Sequence, residues 1–374
     1  MALSPRSDWP IPAALARQAD MLPLISIITP VYNGAHTIGR LLDSIQQLDY
    51  PIDRYEVLVV DNNSSDNLEG VVAAYPVKLL HERHTQSSYA ARNLGVRRAR
   101  GEILAFTDAD CLVHPQWLCC LQAVFQDPAV GGAAGTIHGV EPAGSWVEAV
   151  LNRRHHMSSI DYSSPDNGSQ ATLKRSFKKP TRRLPRLLRR LGLVTYYDDP
   201  RLPSLPVAPT ANVAYCREAF EQVGLFDETC FGGGDTEFSI RLQQQTELKL
   251  VAAPGAIVYH RHRATLRQCW RVSTRYHTSR VVHIERYLGL DKDVRRQILI
   301  ESLAYLLIGV PWSISKLGFR ALRTALVGSP YPMYAREMIV DLTTLISANH
   351  AHIRACNLLR HGQREELWAL PRWV

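Results

Sequence analysis

The chain has 374 residues, 46% of them hydrophobic and 21% charged, so it is long enough for one large or two ordinary domains with a real core, and chain-wide disorder is excluded. No uncharged apolar stretch reaches the roughly 18 to 20 residues that a membrane-spanning helix needs, and the longest candidate, 302–315, is interrupted by Pro311. The formal charge of +8, from 43 Lys and Arg against 35 Asp and Glu, points by itself to an anionic partner such as nucleic acid, a phosphorylated ligand or a membrane surface. Residues 151–205 hold twelve basic and four acidic residues, so this one segment carries the whole excess. The first 20 residues contain Arg6, Asp8, Arg17, Asp20 and three prolines with no apolar core, which reads as cytosolic rather than secreted. Seven cysteines without a CxxC pair read as reduced, mostly buried thiols.

From residue 24 the chain alternates strand-like and helix-like segments in the βαβ manner. A β-branched run at 24–29 (LISIIT) is closed by Pro30 and the turn pair Asn33-Gly34, and an amphipathic helix follows over 36–48. A buried strand at 56–60 (EVLVV) leads into the turn-rich loop 61–67 and a short helix over 68–75 that Asp66 is placed to cap. A strand at 77–80, a helix over 88–100 and a strand at 103–107 (ILAFT) come next, the last ending on Asp108-Ala109-Asp110. A helix is expected over 115–126 and a strand over 130–139. The pattern then breaks over 151–209, where 174–190 carries nine basic and no acidic residues, as in an insertion or long loop. Order resumes with a strand at 210–215, a helix at 217–223, the turn Gly232-Gly233-Gly234, a helix over 236–245 and strands at 248–252 and 256–259. Helical segments around 266–287, 294–307, 334–347 and 350–359 complete the chain.

Both acidic clusters sit where strands end, the edge at which open α/β sheets bind ligands. Asp108 and Asp110 are two apart, so if strand geometry persists they share a face and can hold one divalent cation or its waters. Asp61 is either a base- or ribose-reading carboxylate or a turn former in DNNSSD. Tyr32 is a nucleobase platform or a packing residue, Arg92 a nucleotide partner or part of a solvated helix face, and Trp117 reads as core.

Six ordered segments carry a family resemblance: PVYNG (30–34), VVDNNSSD (59–66), AARNLG (90–95), FTDADC (106–111), TANVAYCREAFEQVGLFDE (210–228) with GGGDTEFSIRL (232–242), and VYHRHR (258–263). Over 24–263 the chain resembles family-2 glycosyltransferases of the GT-A fold. The resemblance implies an α/β fold with a Rossmann-like, mostly parallel sheet flanked by helices and a helical C-terminal extension. It divides the chain into an N-terminal extension (1–22), a nucleotide-sugar half (23–140), a basic insertion (141–209), an acceptor and catalytic half (210–265) and a helical region (266–374). Pro30, Tyr32, Asp61 and Arg92 would bind the donor nucleoside, Asp108 would face the ribose and the metal's waters, and Asp110 would ligate Mn²⁺ or Mg²⁺. His260, with His262 as the fallback, matches a position that often supplies a further ligand, and imidazole suits Mn²⁺ better. Asp235 matches the family's general base, although as a bare residue it reads first as the cap of the following helix. Where the family often has Glu-Asp this chain has Gly234-Asp235, which leaves Glu237 to take over part of the acidic pair's work, such as gripping the acceptor. Asn212 and Arg217 would support the acceptor side.

The implied reaction is inverting transfer from a nucleoside-diphosphate sugar, a UDP-sugar first, to a glycan, lipid-linked or small-molecule acceptor. The string Gln268-Cys269-Trp270-Arg271 is not the QxxRW motif of processive synthases, so one sugar per acceptor is expected. A non-catalytic scaffold docking on a membrane surface and a sugar nucleotidyltransferase are the competing readings. The second lacks its glycine- and basic-rich phosphate loop after the first strand. Because the excess charge lies outside the matched motifs, nucleic acid loses most of its support as a partner. The segment LPRLLRRLGLV (184–194) with 299–312 points instead to an anionic membrane, hence to peripheral attachment at its inner face.

Overall fold

β-Branched, almost uninterrupted apolar runs build a sheet buried on both faces. The computed structural model describes residues 22–153, 160–161, 172–173, 205–230, 232–289, 291–315, 318–319 and 332–363. In chain order the elements are β1 (Ile25–Val31), α1 (Ala35–Ile45), β2 (Tyr55–Asp61), α2 (Leu68–Val72), β3 (Lys78–His81), α3 (Ser88–Arg98), β4 (Ile103–Thr107), β5 (Cys111–Val113), α4 (Trp117–Val124), β6 (Val130–Gly139) and α5 (Trp146–Arg153). They continue with β7 (Ile160–Asp161), β8 (Thr172–Leu173), β9 (Asn212–Cys216), α6 (Arg217–Val223), α7 (Gly234–Gln245), β10 (Lys249–His260), α8 (Leu266–Leu288), α9 (Lys292–Ala304) and α10 (Pro332–Arg360).

Eight strands form one sheet in the order β3-β2-β1-β4-β9-β6-β10-β5. The pairs β3/β2, β2/β1, β1/β4 and β6/β10 are parallel, whereas β4/β9, β9/β6 and β10/β5 are antiparallel. The ends of β1, β2, β4, β6 and β10 and the start of β9 therefore share one edge. Alternation sends Ile27, Val57, Val59 and Ala105 to one face with α1 and α4, and Ile28, Leu58, Val60 and Phe106 to the other. On the second face Phe106, Tyr215, Phe220, Phe226 and Phe238 meet at ring-centroid distances of 4.7 to 6.3 Å. The β1/β4 ladder ends at Ile28–Phe106, so Pro30, with no N–H to give, sits beyond it.

The expected strands at 248–252 and 256–259 are one strand, β10, whose register against β6 shifts between Ala253 and Ile257. Asn212, fully buried, fills that irregularity: its Nδ2 donates to the carbonyls of Thr136 and Ala256, both at 2.8 Å, and its Oδ1 accepts from Trp117 Nε1 at 2.9 Å. Trp117 is thus core, as its sequence context suggested. Arg217 supports the sheet rather than a ligand, donating to the carbonyls of Ala99 and Gly101.

The C-terminal helices differ most from expectation. Segments 334–347 and 350–359 form a single helix, α10. Pro311 does not end the preceding helix, which runs from Lys292 to Ser315 and is long and apolar enough, by length and composition, to cross a membrane. A π turn over Tyr305–Gly309 just before Pro311 takes up the register change that proline demands. Within 151–209 the structure places the end of α5 and the β7/β8 pair, while the basic run 174–190 lies outside the described residues. All seven cysteines are free, four of them buried.

Gly95 of α3 faces Ile28, and a Cβ there would come within 2.4 Å of the buried Ile28 Cγ2. Helix propensity alone would make Gly95→Ala stabilising by about 1 kcal/mol. The overlap outweighs this, because overpacking costs about 1–3 kcal/mol. Chemical denaturation should therefore show net destabilisation of up to about 2 kcal/mol.

Candidate active site

The loop after β1 is built by the loop after β2. Asn33 adopts a left-handed backbone (φ 52°), its N–H donates to Ser64 Oγ at 3.0 Å, and its Oδ1 accepts from Ser65 N at 2.8 Å. Asp66 does not cap α2; its Oδ2 accepts the Ala35 N–H at 2.8 Å at the start of α1. These bonds hold Tyr32 at the sheet edge with 37% of its surface exposed, beside a cleft of about 530 Å³ lined also by Pro30, Arg92, Asp108, Asp110, Asp235 and His262.

Asp61 lies on the neighbouring strand end but not in the cleft lining. Its Oδ1 accepts from Ser64 N at 2.9 Å and its Oδ2 lies 3.2 Å from His81 Nδ1, the bonds of a turn former. Asp108 and Asp110 do not share a face either. Extended geometry stops at Thr107, and the Cys111 N–H bonds back to the Asp108 carbonyl at 3.0 Å, closing a turn that separates the two carboxylates. Asp108 Oδ1 meets Arg92 Nη2 at 2.5 Å, and Asp110 turns to His260 Nε2 at 3.5 Å and Arg263 Nη1 at 3.6 Å. Arg92 is 4% exposed, which removes the solvated-face reading, and it stacks over the Tyr89 ring at 5.6 Å.

Asp235 enters the cleft from the first turn of α7. The helix begins at Gly234 with Gly233 (φ 69°) before it, so Asp235 is inside the helix and is not its N-cap. Its Oδ1 accepts the Thr236 N–H at 2.9 Å. Burial pushes its carboxyl above the usual aspartate range; the Thr236 N–H and Arg92 oppose this, and Asp108 adds to it. The triple glycine admits protein side chains: a Cβ on Gly234 would lie 2.8 Å from the Tyr89 ring, and one on Gly233 3.2 Å from His283. The Gly234 N–H donates to Tyr89 Oη at 2.8 Å. Glu237 is not part of this wall. Two positions along a helix is more than half a turn, and its carboxylate is buried against Arg241 at 2.8 and 3.0 Å and Arg286 at 3.4 Å.

Asp110, Cys111 and His260 bring an oxygen, a sulfur and a nitrogen within 4.8 Å of one another. Burial, with the two neighbouring aspartates, pushes the Cys111 thiol pKa well above its ordinary value, which leaves Asp110 and His260 as the donors that need no thiol deprotonation. Buried His260 Nδ1 has no hydrogen-bond partner among the described residues. An oxygen and an imidazole nitrogen fit a divalent ion of the Mn²⁺ type. Asp108, held by Arg92, is outside this set.

Several cleft residues carried no assigned role in the sequence. Arg261 and Arg263 follow β10, Tyr89 lies in α3, and Arg275 and Tyr276 come from α8. Gln268 lines the cleft too, yet its own bonds form a capping box with Thr265, a signal legible as T-x-x-Q.

The profile of glycosyl transferase family 2 matches residues 26–224, more than half of the chain. Glycosyltransferase AglE of Haloferax volcanii is 30% identical over 225 residues, 59% of this chain and 61% of that protein. Validoxylamine A glucosyltransferase of Streptomyces hygroscopicus subsp. jinggangensis is 27% identical over 243 residues, 59% of this chain and 51% of that one. The matched part thus spans less than two thirds of these curated relatives. A mannosyltransferase from Pyrobaculum calidifontis, solved with GDP-Man and Mn²⁺, has a TM-score of 0.48 at 20% identity, over 90% of this chain and 87% of that one. The profile runs through the loops that place Tyr32, Asp108 and Asp110 at one sheet edge and through the helix α3 that carries Arg92, and on that match the chain belongs to glycosyl transferase family 2.

Proposed function

We propose that this chain is an inverting, non-processive glycosyltransferase that moves one sugar from a nucleoside-diphosphate sugar, a UDP-sugar first, to an acceptor hydroxyl. The observation that carries the reading is one cleft holding Asp235, with its raised pKa, opposite the Asp108–Arg92 pair and Asp110. Pro30 and Tyr32 would receive the nucleoside, with Tyr32 offering a stacking face. Arg261 and Arg263 place positive charge where a diphosphate would lie.

In the proposed step the acceptor oxygen attacks the anomeric carbon as its bond to the diphosphate breaks, and the acceptor proton passes to the Asp235 carboxylate. One displacement inverts the centre, so an α-linked donor gives a β-linked product. Mn²⁺ or Mg²⁺ held by Asp110 and His260 would neutralise charge on the departing diphosphate. Asp108, engaged by Arg92, fixes that guanidinium beside the base.

Purified protein incubated with Mn²⁺ and a panel of nucleotide sugars should release nucleoside diphosphate from at least one donor. Neither release nor binding with any of them would overturn the reading. Asp110→Ala should lose metal-dependent nucleotide binding, measured by calorimetry.

Asp235→Asn should keep nucleotide binding and lose turnover by about 10²–10⁴-fold. Thermal melts separate a base from a structural residue. Because the folded-state pKa of Asp235 is raised, its stabilising contribution is present below the unfolded pKa of about 3.9 and is lost as pH rises through the folded value. Asp235→Asn should therefore melt at or above wild type at pH 7, whereas loss of a structural carboxylate would lower the melting temperature. The acid limb of kcat/KM should fall at a higher pH than an ordinary aspartate gives, since only the ionised form accepts the proton.

A further inference from the structure

Among the described residues, the C-terminal helices leave one apolar face exposed. The helix 292–315 packs one side against α10, with Val294 and Ile298 in a shared core with Ala355 and Cys356. Its other side presents Ile300, Leu303, Leu307, Ile308, Trp312 and Ile314 to solvent, with Leu307 73% and Trp312 50% exposed. Only 28% of its most apolar window is buried, where the core helix of a globular domain would be mostly covered.

Charge identifies the occupant. Between Arg296 and Lys316 the only charged residue is Glu301, which is buried, so the exposed face carries none. Lys292, Arg295 and Arg296 precede the strip together with Asp291 and Asp293, and Lys316, Arg320 and Arg323 follow it in sequence, so both flanks are net positive. An apolar strip holding a tryptophan and flanked at both ends by cations matches the boundary of an anionic bilayer, with side chains at the acyl level and guanidinium and ammonium groups at the phosphates. A second copy of the chain would bring the same cations against these. Crossing the bilayer would strip Val294 and Ile298 from α10 and carry Glu301 into hydrocarbon.

We propose that the exposed face of 292–315 seats on an anionic phospholipid surface, the helix lying in the plane of the interface. Full-length protein should float with vesicles of about one-third phosphatidylglycerol and far less with phosphatidylcholine alone. The double substitution Leu307→Glu and Trp312→Glu, at exposed positions, should weaken that binding on the order of a hundredfold with an unchanged melting temperature. Brominated lipid should quench the wild-type tryptophan emission, a readout that needs no variant. Wild type that stays unbound, a double variant that floats like wild type, or a solution dimer that the substitutions dissociate in the absence of vesicle binding would each overturn the proposal.

Discussion

The buried guanidinium of Arg92 organises the catalytic edge. A guanidinium that is 4% exposed must be met by an acceptor, and the carboxylate that meets it keeps 30% of its side chain exposed, so the pair is part-buried. Asp108 meets it at 2.5 Å, and with the turn back from Cys111 this fixes the chain after β4. Asp110 meets His260 because β5, which begins at the next residue, pairs with β10 and sets Cys111 opposite His260, while the Asp110 carbonyl accepts the Arg261 N–H at 3.2 Å. The same guanidinium rests on Tyr89, whose hydroxyl receives the Gly234 N–H and so sets the start of the helix that carries Asp235. Asp108, Asp110 and Asp235, far apart in sequence, thus line one cleft, with His260 beside Asp110.

Much of the sheet was legible because its strands are short apolar runs ended by Gly, Pro, Asn or Asp, as at Ile103–Thr107 and Val130–Gly139. The strand-end placement of Asp108 and Asp110 was legible for the same reason. Their divergence was not, since it depends on a backbone turn and on an arginine sixteen residues upstream. Asp61 and Glu237 show the same limit. Each lies in a matched motif, yet local bonds to Ser64 and to Arg241 decide where the carboxylate points. The continuity of the helix through Pro311 was hidden too, because proline normally breaks a helix and the compensating π turn has no sequence signature.

The triple glycine makes room for protein side chains. Glycine is needed because Tyr89 and His283 pack where side chains would otherwise stand. His283 comes from α8, and burial pulls its pKa down to about 4, so it is neutral where it supports the turn. Ser279 of the same helix donates to the Gly232 carbonyl. The helical C-terminal region, which lies beyond the family match at 26–224, therefore braces the loop that presents Asp235 and also supplies Arg275 and Tyr276 to the cleft.

The central claim is that a single displacement, with Asp235 as base, takes place in this cleft. The stereochemistry of the product tests it most directly. With an α-linked nucleotide sugar as donor, the anomeric proton of the newly transferred sugar, read by NMR at early times, should report a β linkage. An α linkage would require two displacements or front-face departure and would contradict the account.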